Sequence, residues 1–206
     1  MTPYTDEELM AELVRGETGA LDELYRRYAR PLYVFCDRLI QLRGTRQAED
    51  LVQDIFLRVI RGAAGFDSRR ASFRTWLFRI ARHGCIDVLR QRGKVKIVPL
   101  EEEKARSDDP YLRPQAVENP AGSNIQAETD ATQMLVHTEW RQAIRDCIAA
   151  LPNYEEREAV ILYYLGGKVL VEIGRILGKS TSTAKNRVWA ARAKLKACLA
   201  GKGVSP

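Results

Sequence analysis

Glu172-Ile173-Gly174-Arg175-Ile176-Leu177-Gly178, continued by Lys179-Ser180-Thr181-Ser182-Thr183-Ala184-Lys185-Asn186-Arg187-Val188, reads as a short apolar helix, a glycine-bearing turn and a basic helix opened by a hydroxyl cap. In the second helix Ala184, Val188, Ala191 and Leu195 recur at spacings of four, three and four, a stripe that packs on preceding helices. Ser182, Thr183, Lys185, Asn186, Arg187 and Trp189 fall outside that stripe. This is the layout of a helix-turn-helix whose second helix enters the DNA major groove. Hydroxyls at a helix start suit phosphate, because free N–H groups and the helix dipole favour anions there. Asn and Arg can grip base edges in pairs of hydrogen bonds, each worth about 1–3 kcal/mol of discrimination. A merely solvated basic helix shows the same periodicity. Between Lys179 and Lys202, however, there are seven Arg or Lys and no acid, which favours a polyanion.

Upstream, Phe66-Asp67-Ser68-Arg69-Arg70-Ala71-Ser72-Phe73-Arg74-Thr75-Trp76-Leu77-Phe78-Arg79 interleaves arginines with aromatics. Aromatic faces stack on unpaired bases and arginines track a backbone, so this loop and helix suit a single strand or a flipped base. Phe73, Trp76, Leu77 and Ile80 lie at core spacing and are expected inside. That leaves Ser68, Arg69, Arg70, Arg74, Arg79, Arg82 and His83 as candidates for contact. On the helix before it, Glu49, Asp50, Gln53 and Asp54 oppose an apolar stripe of Leu51, Val52, Ile55, Phe56, Val59 and Ile60. Acids clustered beside a DNA-binding unit can dock a basic protein surface, with charge steering the encounter.

The charge is segregated. The chain has 206 residues and net charge +6. Arg69–Lys94 holds eight Arg or Lys and one acid, whereas Glu101–Asp130 holds eight acids and three Arg or Lys. Two basic blocks thus flank an acidic one. Cys36, Cys85, Cys147 and Cys198 are widely spaced with no CxxC, so reduced thiols are expected, with neither a disulfide framework nor a zinc site. The polar, acidic start Thr5-Asp6-Glu7-Glu8 has no apolar leader, and no run is long enough for a membrane span, so a cytoplasmic location is expected. Only His83 and His137 occur, with no P-loop or metal-ligand spacing; neither an enzyme nor a cofactor is expected.

Helical periodicity dominates throughout, so the expected fold is all-α: two small helical domains joined by a long acidic linker, the C-terminal one carrying the helix-turn-helix. Helices are expected near 6–14, 20–42 (with Pro31 inside), 47–61 and 73–92, making a domain over residues 1–92. Residues 93–133 lose the periodicity and hold Pro99, Pro110, Pro114 and Pro120, the composition of a linker. Residues 134–206 form the second domain, with helices near 135–151 (Trp140, Ile144, Cys147 and Ile148 inward) and 155–165 before the helix-turn-helix.

Ala48-Glu49-Asp50-Leu51-Val52-Gln53-Asp54-Ile55-Phe56-Leu57, then Phe73–Arg82 and Ile86-Asp87-Val88-Leu89-Arg90, resembles the second conserved domain of extracytoplasmic-function (group IV) sigma factors of the sigma-70 family. Leu151-Pro152, Arg157-Glu158-Ala159 and the 172–195 helix-turn-helix resemble their fourth domain. The resemblance implies a bacterial transcription-initiation subunit that binds core RNA polymerase and promoter DNA. On it, Glu49, Asp50, Gln53 and Asp54 meet the clamp helices of the polymerase β′ subunit. Ser68, Arg69, Arg70, Arg74, Arg79, Arg82 and His83 melt and read the −10 element. Ser182, Thr183, Lys185, Asn186, Arg187 and Trp189 read the −35 duplex while their domain rests on the β flap. An anti-sigma factor is a further partner by family habit. Several positions depart from the family pattern. His83 stands where asparagine is common, Val169-Leu170-Val171 lacks a good N-cap, and Ala190 stands where arginine is frequent.

Two rival readings remain. A stand-alone helix-turn-helix regulator accounts for residues 135–199 but leaves 45–92 without a purpose. A sigma-like decoy that binds only an anti-sigma protein has no need of two intact basic blocks.

Overall fold

Thr5 begins the first helix with a reciprocal cap: its side chain accepts the Glu8 N–H, and the Glu8 carboxylate accepts the Thr5 N–H at 2.7 Å. In the computed structural model the described residues are 4–41, 46–93, 131–164 and 166–203, with backbone alone described at 131–138. They hold eight α-helices and no strand: α1 (Asp6–Val14), α2 (Thr18–Ile40), α3 (Arg46–Gly62), α4 (Phe73–Gln91), α5 (Ala131–Ala149), α6 (Tyr154–Tyr164), α7 (Leu170–Leu177) and α8 (Thr181–Gly201). A single 3₁₀ turn, Ala63–Gly65, follows α3. The chain divides into two compact units: residues 1–97 with Arg175–Leu177, and the remainder. Residues 94–130 of the expected linker lie outside the described residues, as do Leu42, the turn expected at Gly44-Thr45, and Leu165. α5 starts at Ala131, three residues before the expected boundary.

In the first unit the apolar stripes of α2, α3 and α4 meet over Leu24, Leu32, Phe35, Ile55, Phe73, Leu77 and Phe78, each almost fully buried. Burying such a side chain is worth about 1.5–3 kcal/mol. Phe35 and Phe78 meet edge to face at 5.4 Å. α2 runs unbroken through Pro31, whose ring sits on the exposed face. α1 closes the unit by polar contacts. Asp6 accepts from the Tyr28 hydroxyl and pairs with Arg27 at 2.8 Å, and Glu7 accepts the Phe73 N–H at the start of α4 at 3.0 Å. Burial first, then that bond to Asp6, pushes the Tyr28 phenol well above its usual range.

The second unit packs α8 against α6 and α5. Ala184, Val188 and Ala191 are buried as the stripe requires, with Leu195 half-buried at its end. Between α7 and α8, Gly178 adopts φ +66° and Lys179 donates its N–H to Gly174 at 2.8 Å. A Cβ on Gly174 would stand 2.8 Å from the Lys179 carbonyl, so the turn needs glycine there. At the start of α7, where Val169 has no side-chain acceptor to cap the helix, Glu172 reaches back to accept the Val169 N–H at 3.2 Å.

Three expectations are corrected. Cys147 and Cys198 form a disulfide, their Cα atoms 5.8 Å apart, because α5 and α8 bring together positions 51 apart in sequence. Cys36 and Cys85 are buried free thiols. Trp140, expected inside, is 44% exposed, and Ile60, placed on the buried stripe of α3, is 43% exposed.

Candidate nucleic-acid and polymerase interfaces

Ser180 opens α8 as its N-cap, accepting the Thr183 N–H at 3.2 Å. From there the helical period sorts the candidate residues by side. Ser182, Lys185, Asn186 and Trp189 are exposed and share the face opposite the buried stripe. Trp189 is 59% exposed, and the Lys185 ammonium lies 4.4 Å from its ring centroid. Such a contact is worth about 0.5–1 kcal/mol at an exposed site. It stiffens two long side chains on one surface.

Thr183 and Arg187 lie on the flank. The Thr183 hydroxyl is 2.9 Å from that of Ser180. Arg187 forms an ion pair with Glu155 of α6 at 2.7 Å. The neighbouring Glu156, only 6% exposed, accepts from Lys194 at 2.6 Å. Sequence periodicity groups Arg187 with the outer face; the structure sets it apart, held by α6. The two glutamates carry no signal that a single helix pattern could reveal.

In the first unit, Asp67 organises the loop before α4. It accepts the Arg69 backbone N–H at 3.0 Å and pairs with the Arg69 side chain at 2.9 Å and with Arg70 at 3.7 Å. The Arg69 bonds hold its carboxyl below the usual carboxylate range. Ser68, Arg69 and Arg70 are exposed. Trp76 is half-buried, its ring 5.3 Å from Phe66 and 6.1 Å from Phe73, an aromatic cluster under the basic loop. Arg79 and His83, four residues apart, share an exposed face of α4; Arg74 and Arg82 sit half-buried off that face. Burial, then the charges of Arg82 and Arg79, pushes the His83 imidazole below its ordinary 6.5, although the residue as a whole is exposed. Nearby, Arg58 of α3 spans to Asp87 of α4 at 3.2 Å.

Glu49, Asp50, Gln53 and Asp54 are all exposed on α3. The structure adds Leu57 (48% exposed) and Ile60 to that helix's open surface. Leu57 follows Asp50, Gln53 and Asp54 at helical spacing, so an apolar residue off the core stripe was the signal for it. Among the described residues no cluster of His, Cys, Asp and Glu is arranged to hold a metal, and no helix is long and apolar enough to cross a membrane.

Residues 24–95 match the family model of sigma-70 region 2, and residues 141–195 match that of sigma-70 region 4. The chain is similar to the ECF RNA polymerase sigma factor SigM of Mycobacterium tuberculosis H37Rv, 32% identical over 193 residues that cover 93% of this chain and 83% of that protein. SigK of Mycobacterium bovis BCG is 28% identical over 194 residues, covering 93% of this chain and 91% of the relative. Among solved structures, CnrH in complex with the cytosolic domain of CnrY shares the fold, with a TM-score of 0.64 at 22% identity over 95% of this chain and 97% of that one. The sigma factor RpoE of Bartonella quintana, crystallised with the anti-sigma factor NepR, gives a TM-score of 0.58 at 25% identity over 86% of this chain and 95% of that one.

Proposed function

Because this chain belongs to the ECF RNA polymerase sigma factors of the sigma-70 family, we propose that it directs initiation as a group IV member by gripping two promoter elements with the two surfaces just described. It is an RNA polymerase sigma factor, and its partners are core RNA polymerase and promoter DNA. The outer face of α8 reads the −35 duplex through Ser182, Lys185, Asn186 and Trp189, with Thr183 on the flank; Arg187, expected among them, stays paired with Glu155 of α6. Ser68, Arg69, Arg70, Arg74, Arg79, Arg82 and His83 engage the −10 element once its strands part. Glu49, Asp50, Gln53 and Asp54 dock α3 on the β′ clamp helices, and the second unit rests on the β flap. The residues between α4 and α5 serve as the linker, their acids suited to a channel built for RNA. No covalent step is assigned to this chain, and we place it in the cytoplasm. The observation that carries this reading is the acid-free, exposed face of α8 in the same chain as a second basic surface on α4.

Binding has a large electrostatic part and weakens steeply with salt. Capture of unstacked bases on the first unit offsets the cost of melting. RpoE is seen with the anti-sigma factor NepR. On that precedent an anti-sigma factor masks this chain until it is needed. Run-off transcription with purified core polymerase on a genomic template library tests the reading. Defined transcripts that need both the chain and the polymerase are expected. Tight specific DNA binding without polymerase, and no transcripts with it, would point to a stand-alone regulator.

A further inference from the structure

We propose that Glu155 is a specificity-determining residue that withholds Arg187 from the DNA backbone. The inference rests on the −35 reading above and concerns how that same surface treats phosphate. Arg187 Nη2 lies 2.7 Å from Glu155 Oε2, and the two side chains are 36% and 35% exposed. The Nε of the same guanidinium is enclosed and has no hydrogen-bond partner among the described residues. Glu155 is itself fixed in the first turn of α6, its N–H donated to the Asn153 side chain at 2.9 Å. One residue on, Glu156 holds Lys194, seven positions beyond Arg187 and two helical turns along α8. Consecutive acids of α6 thus retain two cations of α8, while Lys185, Asn186 and Trp189 stay exposed.

A guanidinium already seated on a carboxylate is a neutral pair. It releases no counterion when the helix docks, and reaching a phosphate would exchange one charge-assisted contact for another. Phosphate contacts raise affinity for every duplex and carry no sequence information, whereas base contacts discriminate. Holding Arg187 back therefore lowers non-specific binding and leaves discrimination to the outer face.

The test uses the full chain assembled with core polymerase. Its affinity is measured over a range of salt for a promoter duplex recovered from the run-off library and for a scrambled duplex of equal length. The slope of log K against log salt changes by about 0.9 for each phosphate newly neutralised or released. Arg187→Gln is expected to leave the slope and the promoter-to-scrambled ratio unchanged. Glu155→Gln should steepen the slope by about 0.9 and lower the ratio, and adding Arg187→Gln to it should restore the parent slope. The charge swap Glu155→Arg with Arg187→Glu keeps the pair and should also show the parent slope, which covers the case of a poorly folded single variant. A flatter slope for Arg187→Gln, or an unchanged slope for Glu155→Gln, overturns the proposal. Lys185→Gln is the control and should flatten the slope by about 0.9. If it and every other α8 variant have no effect while transcription continues, the −35 reading itself fails, and this proposal with it.

Discussion

Cys147 of α5 is bonded to Cys198 of α8, so one covalent link closes a loop around the whole helix-turn-helix. A loop spanning 51 positions removes about 4 kcal/mol of conformational freedom from the unfolded chain, and native disulfides usually deliver about 2–4 kcal/mol. Replacing both cysteines by serine, or reducing the link, is expected to lower the stability of the second unit by that amount. The first unit has only the free thiols Cys36 and Cys85 and should not respond. Hydrogen exchange followed separately in the two units during urea titration measures it. Equal protection of α6 and α8 with and without reductant would show that the link adds no stability.

Arg157 ties α5 to α6. Its Nη2 donates to the carbonyls of Ala149, the last residue of α5, at 3.1 Å and of Leu151 at 2.6 Å. Burial pulls the guanidinium's pKa down, and Tyr154 opposes this. Bonds from a charged donor are worth about 1.5–3 kcal/mol, so Arg157→Ala should cost about 2–3 kcal/mol of unfolding free energy. Arg157→Lys should recover less than half, since an ammonium lacks the planar fork. Urea unfolding gives both numbers, and a loss below about 0.5 kcal/mol for Arg157→Ala would contradict the bridging role.

Much of this was legible beforehand because it is local. The Thr5 and Ser180 caps, the Gly174–Gly178 turn and the Ala184–Val188–Ala191 stripe are short-range patterns, and each appears where its spacing puts it. What was missed depends on pairs distant in sequence. Nothing in the spacing of Cys147 and Cys198 announces their meeting. Arg187 looks like its neighbours until Glu155 is brought beside it. Trp140 and Ile60 keep the helical period, yet among the described residues nothing packs over them closely enough to bury them. Periodicity marks which residues can share a face, not which faces are occupied.

His83 is expected to titrate below 6.5, because burial, Arg82, Arg79 and Arg58 disfavour its charged form while Asp87 only partly opposes them. As pH falls through 6.5, the unfolded chain takes up the proton first. Folding stability therefore declines between 6.5 and the lowered value and is constant below it, with no contribution to the slope above 6.5. A bound phosphate backbone would raise the value again, so affinity for single-stranded DNA should increase as pH drops below 6.5. His83→Asn should abolish that increase and leave the neutral-pH affinity within about twofold, roughly 0.4 kcal/mol. An imidazole NMR titration with and without a single-stranded oligonucleotide decides it. A midpoint at or above 6.5 in the free protein would refute the depressed value.

Leu57 and Ile60 leave apolar surface open on α3 beside the exposed carboxylates of Asp50 and Asp54. A docking surface built this way separates two effects. Charges at the rim steer encounter and respond to salt, while an apolar side chain buried on contact slows dissociation. Leu57→Ala should weaken binding to core polymerase by about tenfold, from the roughly 1.5 kcal/mol that such a side chain gains on burial, and mainly through faster dissociation. Asp50→Lys with Asp54→Lys should instead slow association, with the loss fading as salt rises. Neither change touches the core, so the melting temperature should hold. Surface-immobilised core polymerase supplies both rate constants. If Leu57→Ala dissociates at the parent rate, the apolar part of this face lies outside the contact, and the acids alone carry the docking.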